Sequence, residues 1–268
     1  MFYFHAPDSP LPGWHAENLT LGAEPRRVYV RGTGPGVVIV HEMPGITPAV
    51  EAFARRVADQ GFTVFLPHLF GADLRPKSAA SLAAALTEVC IAQTFHLFSR
   101  GSGGPVVDEI RALCRLAHDR CGPPGVGLLG MCLTGNFGLI LALEPSVRAP
   151  VLAQPSQPIA LPGLRDALAV PDGHLEAVKD RLIAEDRILL GLRFTDDSLC
   201  PGVRFARLRA TLGDRFEALE IDSSPGNPWG HRRIAHSPLT NEFVDEPGQP
   251  TRAALERVLE FFAENLRT

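Results

Sequence analysis

The stretch Val126 to Gly135 reads Val-Gly-Leu-Leu-Gly-Met-Cys-Leu-Thr-Gly. An apolar run ends there in a small-x-Cys-x-small turn ahead of a helical pattern. A strand that must turn sharply into a helix can do so only where the flanking residues are small, so Gly130 and Thr134 give strand and helix room to approach. The residue at the tip is then held strained and presented outward. That residue is Cys132. The alternative, a small buried hydrophobe, is the usual fate of a free cysteine.

Such a turn needs a sheet behind it, and the rest of the chain supplies one. Val37 to Val40 and Thr63 to Leu66 are β-rich runs. Between them Val50, Phe53, Ala54 and Val57 recur at helical spacing from Pro48 to Gln60, so the three form a βαβ unit. The pattern then predicts helices over Ser81 to Ala92 and Val106 to Asp119, a strand over Val126 to Gly130, and one helix over Leu133 to Leu143. It continues with strands at Pro150 to Ala153, Ile188 to Phe194 and Phe216 to Ile221, and helices at Leu175 to Ala184, Val203 to Leu212 and Thr251 to Leu266. Alternation of this kind implies an α/β fold, a mostly parallel central sheet with helices on both faces. Ligands bind such sheets beyond the carboxyl ends of the strands, where the Cys132 turn lies.

With 268 residues and 45% hydrophobic content, one domain over 1–268 can bury a large core. A net charge of -4 excludes a nucleic-acid footprint, and no apolar run is long enough to span a bilayer. The amino-terminal residues lack a basic segment followed by a long apolar one, so a cytoplasmic protein is expected. Cys90, Cys114, Cys121, Cys132 and Cys200 show no paired spacing, so neither disulfides nor a structural metal are expected. Packing is the default role for Cys90, Cys114 and Cys200.

A cysteine nucleophile needs a base and an orienting acid, and behind a turn of this type acid and then histidine follow in chain order. The strand ending at Phe194 runs into Thr195-Asp196-Asp197-Ser198-Leu199-Cys200-Pro201. Asp197 is favoured as the orienter; its ordinary reading is a helix cap. The irregular segments are 72–79, 100–105, 154–171 and 222–250. The last carries His231, His236 and Trp229, and a long loop is a natural place for a base. Both histidines satisfy the order.

At this point the chain resembles the dienelactone hydrolase family of the α/β-hydrolase fold. The matching features are the Cys132 turn, Glu42 in His41-Glu42-Met43-Pro44-Gly45, Asp197 with Pro201 four residues on, and His236-Ser237 ahead of the final helix. They span roughly residues 25 to 266, and the spacing of His236 from Glu260-Phe261 favours it over His231. The resemblance implies a triad of Cys132, His236 and Asp197, with Glu42 near the thiol and restraining its ionisation. The backbone N–H groups of Met43 and Leu133 would form the oxyanion hole. It implies hydrolysis of a small ester or lactone through an acyl-thioester, with no cofactor, by a monomer or small homo-oligomer.

Family members hold a substrate carboxylate partly through an arginine four residues beyond the histidine, where this chain has Thr240. Arg75, Arg100, Arg232 and Arg233 are substitutes to consider, and Trp229, Phe95 and Phe98 are candidate pocket walls. A thioesterase or carboxylesterase on the same scaffold, or a non-catalytic ligand-binding member, is the competing expectation.

Overall fold

The computed structural model describes residues 11–91 and 104–267, and for residues 86 and 88–91 the backbone alone. Phe95, Phe98 and Arg100 lie outside the described residues. The first two strands, β1 (His15–Thr20) and β2 (Pro25–Arg31), form an antiparallel pair that the sequence pattern had not suggested. β1 is the half-exposed edge strand, and in β2 charged Arg26, Arg27 and Arg31 surround the buried Val28 and Tyr29. Then follow β3 (Gly36–Val40), α1 (Pro48–Asp59), β4 (Thr63–Pro67), α2 (Ala79–Ile91), α3 (Pro105–Cys121) and β5 (Val126–Met131). After a short α4 (Phe137–Ile140) come β6 (Val147–Ala153), α5 (His174–Ala184), β7 (Leu189–Phe194), α6 (Gly202–Leu212), β8 (Phe216–Ile221) and α7 (Pro250–Leu266).

The eight strands lie in the order β1-β2-β4-β3-β5-β6-β7-β8. From β4 to β8 every neighbouring pair is parallel, and β2 alone runs against the rest, antiparallel to both β1 and β4. Alternation of side chains explains why both faces need cover. Val37 and Ile39 of β3 enter a core with Val50, Phe53 and Val57 of α1 and Val258, Phe261 and Phe262 of α7. Val38 and Val40 enter another with Ile110, Leu113 and Cys114 of α3. Beyond β6, α5 and α6 close the second face through Val178, Leu182, Phe205 and Leu208. Each such buried side chain contributes about 1.5–3 kcal/mol. Leu11 and Trp14 belong to the first core, ahead of the start expected near residue 25.

The helix expected over Leu133 to Leu143 is instead broken. A 3-10 turn at Cys132–Thr134 precedes α4, and another at Leu141–Leu143 follows it. The segment is pressed against β6 and the loop beyond it: a Cβ on Gly135 would lie 2.6 Å from Pro155 Cα, and one on Gly138 2.7 Å from the Val151 carbonyl oxygen. Helical spacing was present, but this close approach leaves room for one regular turn. Among the described residues, no helix is long and apolar enough to cross a membrane.

Candidate active site

The parallel strands all point their carboxyl ends to one side, so the loops after β3, β5, β6, β7 and β8 meet there. The turn after β5 is the sharpest. Cys132 has φ 54°, a left-handed conformation that costs about 1–3 kcal/mol in a non-glycine residue. Gly130 makes it possible, since a Cβ there would stand 2.0 Å from the Thr134 carbonyl oxygen. Thr134 stitches the turn to its neighbour strand: its Oγ1 accepts from the Met131 amide at 3.0 Å and reaches the Val40 carbonyl at 3.0 Å. Cys132 is partly exposed, whereas Cys114 and Cys200 are buried in the core with thiols that burial makes hard to ionise, Cys200 being pushed up to about 12. The side chain of Cys90 lies outside the described residues.

The loop after β7 places Asp197, and the loop after β8 places His236, both nearly buried. His236 Nδ1 lies 2.6 Å from Asp197 Oδ2. The other carboxylate oxygen accepts from the Leu199 amide at 2.9 Å, which fixes its orientation. His236 Nε2 is buried and makes no standard hydrogen bond to the protein among the described residues. Burial would by itself lower the proton affinity of the ring, but the charge of Cys132, then the hydrogen bond and charge of Asp197, more than offset it. The imidazole is held well above its usual range. His231 sits elsewhere, edge-on to Phe194 at 5.0 Å, with burial lowering its pKa.

Glu42 follows β3 and is 1% exposed. Its Oε1 accepts from Thr240 Oγ1 and from Asn241 Nδ2 at 3.1 Å, and its Oε2 from Ser237 Oγ at 2.6 Å and Gln154 Nε2 at 3.4 Å. Three of these four donors come from the loop that carries His236. A buried carboxylate is thus satisfied by neutral groups. Its backbone is held by His41, which accepts from the Leu69 amide through Nε2 at 3.0 Å and so carries its proton on Nδ1, 3.0 Å from the Glu42 carbonyl. Burial depresses this histidine to about 3, which keeps it neutral.

Met43 and Leu133 follow Glu42 and Cys132, and their side chains pack with Phe70 and with Leu82 and Ala85 of α2. The packing of α2 here had no counterpart in the sequence reading. Of the arginines considered, Arg233 pairs with Asp196 at 3.2 Å and Arg232 faces Glu242 at 4.0 Å, both on exposed stems, and Arg75 is exposed. Trp229 is 41% exposed, in a turn where its amide donates to Asn227 Oδ1. Ile159, Leu161, Leu164, Leu199 and Ile234 also stand exposed on loops at this end of the sheet.

A model of the dienelactone hydrolase family matches residues 20–265. Among solved structures, a protein of Klebsiella pneumoniae subsp. pneumoniae assigned to the dienelactone hydrolases superposes with a TM-score of 0.64 at 16% identity, covering 94% of this chain and 98% of that one. A dienelactone hydrolase-like promiscuous phosphotriesterase from metagenomic libraries gives 0.58 at 17% identity, over 94% and 98% of the two chains. A member of the α/β serine hydrolases without lid, from Xanthomonas campestris, gives 0.55 at 13% identity, over 94% and 97%. At these identities the similarity is one of fold, the α/β-hydrolase fold. No match is found among curated proteins.

Proposed function

Because the chain belongs to the dienelactone hydrolase family, we propose that it hydrolyses small carboxylic esters or lactones with Cys132 as nucleophile, His236 as base and Asp197 as orienter. The observation that carries this reading is the strained Cys132 turn at the same sheet end as a histidine raised jointly by Cys132 and Asp197. His236 takes the proton from Sγ, and the thiolate attacks the carbonyl carbon while Asp197 holds the ring tautomer. The oxyanion that forms accepts from the N–H groups of Met43 and Leu133. His236 then returns its proton to the leaving alcohol. Water, activated by the same histidine, cleaves the acyl-thioester, so ester and water give acid and alcohol. The reaction calls on no metal or organic cofactor.

Glu42 restrains the thiol in this scheme, because an anion close to Sγ disfavours a second one. The substrate is read as uncharged at the acyl end. Thr240 spends its hydroxyl on Glu42, and of the arginines considered as substitutes Arg232 and Arg233 face carboxylates and Arg75 solvent. The exposed apolar side chains and Trp229 support an apolar ester, with Trp229 as an outer wall of the pocket.

The test is turnover of short-chain p-nitrophenyl esters and a dienelactone by the wild type, Cys132→Ala, His236→Ala and His231→Ala. Activity lost in the first two variants and kept in the third is expected. Unchanged activity of Cys132→Ala, or no turnover of either substrate by folded wild type, would overturn the assignment.

A further inference from the structure

The turn after β6 is fastened residue by residue. Gln154 sits at φ 36°, and its amide donates to the Leu192 carbonyl at 2.7 Å. The Pro155 carbonyl accepts from Arg204 Nη1 at 2.9 Å. The Ser156 amide donates to the Cys132 carbonyl at 3.0 Å. The Gln157 carbonyl accepts from Asn136 Nδ2 at 3.0 Å, and the Pro158 carbonyl accepts from the Arg204 guanidinium. Arg204 is fully buried, and its guanidinium also serves the Arg165 carbonyl at 3.2 Å. A buried cation spent on loop carbonyls costs desolvation, and what it secures is the position of this turn.

Among the described residues, the side chain this turn offers to Cys132 is Ser156. Its hydroxyl is nearly buried and lies 3.5 Å from Cys132 Sγ, an ordinary O–H to sulfur separation. We propose that the Ser156 hydroxyl is a catalytic hydrogen-bond donor that stabilises the Cys132 thiolate from the side of β6. This rests on Cys132 being the nucleophile. In the resting step the S–H bond breaks, an N–H bond forms on His236 Nε2, and the Ser156 proton stays on its oxygen. A thiolate has no proton to give, so the hydroxyl is the donor in the ionised state. The charged group that interacts with the thiol from the loop after β8 is His236, backed by Asp197 from the loop after β7, and the proposed function adds Glu42 from the loop after β3. Ser156 is the neutral donor among them.

The experiment follows alkylation of the Cys132 peptide by iodoacetamide against pH, read by mass spectrometry so that the other cysteines do not contribute. Ser156→Ala should move the midpoint upward by about one pH unit, the effect of losing a hydrogen bond to a charged group. Its rate on the alkaline plateau should stay at or above that of the wild type, since a more basic thiolate is the better nucleophile. Ser156→Thr, which keeps the hydroxyl, should titrate like the wild type. A midpoint unmoved by Ser156→Ala, or moved equally by Ser156→Thr, would overturn the proposal. His236→Ala separates it from the triad: an unmoved midpoint there counts against the histidine pairing, while the serine variants still decide the serine.

Discussion

His236 Nδ1 stands 2.6 Å from Asp197 Oδ2, and the second oxygen of that carboxylate is taken by the Leu199 amide. The pair is therefore oriented from both ends, which leaves Nε2 as the nitrogen available for proton transfer.

Asp197→Asn keeps the shape and removes the charge that fixes the tautomer. A drop in kcat of about a thousandfold to ten-thousandfold is expected, as for other triads. Steady-state kinetics with a chromogenic ester checks this, with the thermal midpoint as the control for folding.

The raised pKa of His236 has a consequence for stability. Its folded value lies above the unfolded one near 6.5, so its contribution is fully present below about pH 6.5 and is lost as pH rises through the folded value. The difference in Tm between wild type and His236→Gln should accordingly shrink on going from pH 6 to alkaline pH. Thermal scans across that range measure it, and a difference that grows with pH would contradict the sign.

Gly130→Ala tests the turn itself. The new Cβ meets a backbone oxygen at 2.0 Å, and no side chain is available to move aside. A loss of at least about 2–3 kcal/mol in urea unfolding is expected. Slower alkylation of Cys132 should accompany it.

Glu42→Gln replaces one acceptor oxygen with a donor that faces hydroxyl and amide donors. Stability should fall by about 1–3 kcal/mol. Removal of the negative charge should also make Cys132 alkylate about threefold to tenfold faster near pH 6.5. A slower reaction would remove Glu42 from thiol control.

Neutral esters should outperform esters bearing a second carboxylate at the acyl end. A kcat/KM ratio of about tenfold or more follows from leaving a carboxylate without a cation beside Glu42. Paired substrates of matched size provide the comparison.

The features that could be read from the chain were those written in local pattern. Apolar runs marked β3, β4 and β5, and Gly130 with Thr134 marked the turn, because strand packing and sharp reversal each demand particular residue types. The β1–β2 pair escaped because edge strands such as His15–Thr20 carry polar side chains on both faces. The single helix expected after Cys132 failed because the constraint that breaks it, contact of Gly135 with Pro155, joins positions twenty residues apart. Ser156, Gln154 and Arg204 were invisible for the same reason. Nothing around the serine of Pro155-Ser156-Gln157-Pro158, or an arginine in the first turn of α6, announces what stands opposite it in space. Order along the chain favoured Asp197 and left His231 and His236 open; the spacing shared with the dienelactone hydrolase family favoured His236, and the 2.6 Å between its Nδ1 and Asp197 Oδ2 is a matter of geometry that no local pattern carries.

The loops that meet at this end of the sheet come from positions as far apart as Glu42 and His236, and the 103 residues from Leu133 to Ala235 emerge between Cys132 and the histidine. During synthesis the thiol leaves the ribosome long before Asp197 and His236, the acid and base proposed for it, exist. Until then it is an ordinary cysteine, mostly protonated at neutral pH. The sheet order, with β6, β7 and β8 added outward from β5, thus makes arming of the proposed nucleophile a late act of assembly, ahead only of α7, and on that assignment a chain cut short anywhere before His236 carries an inert thiol.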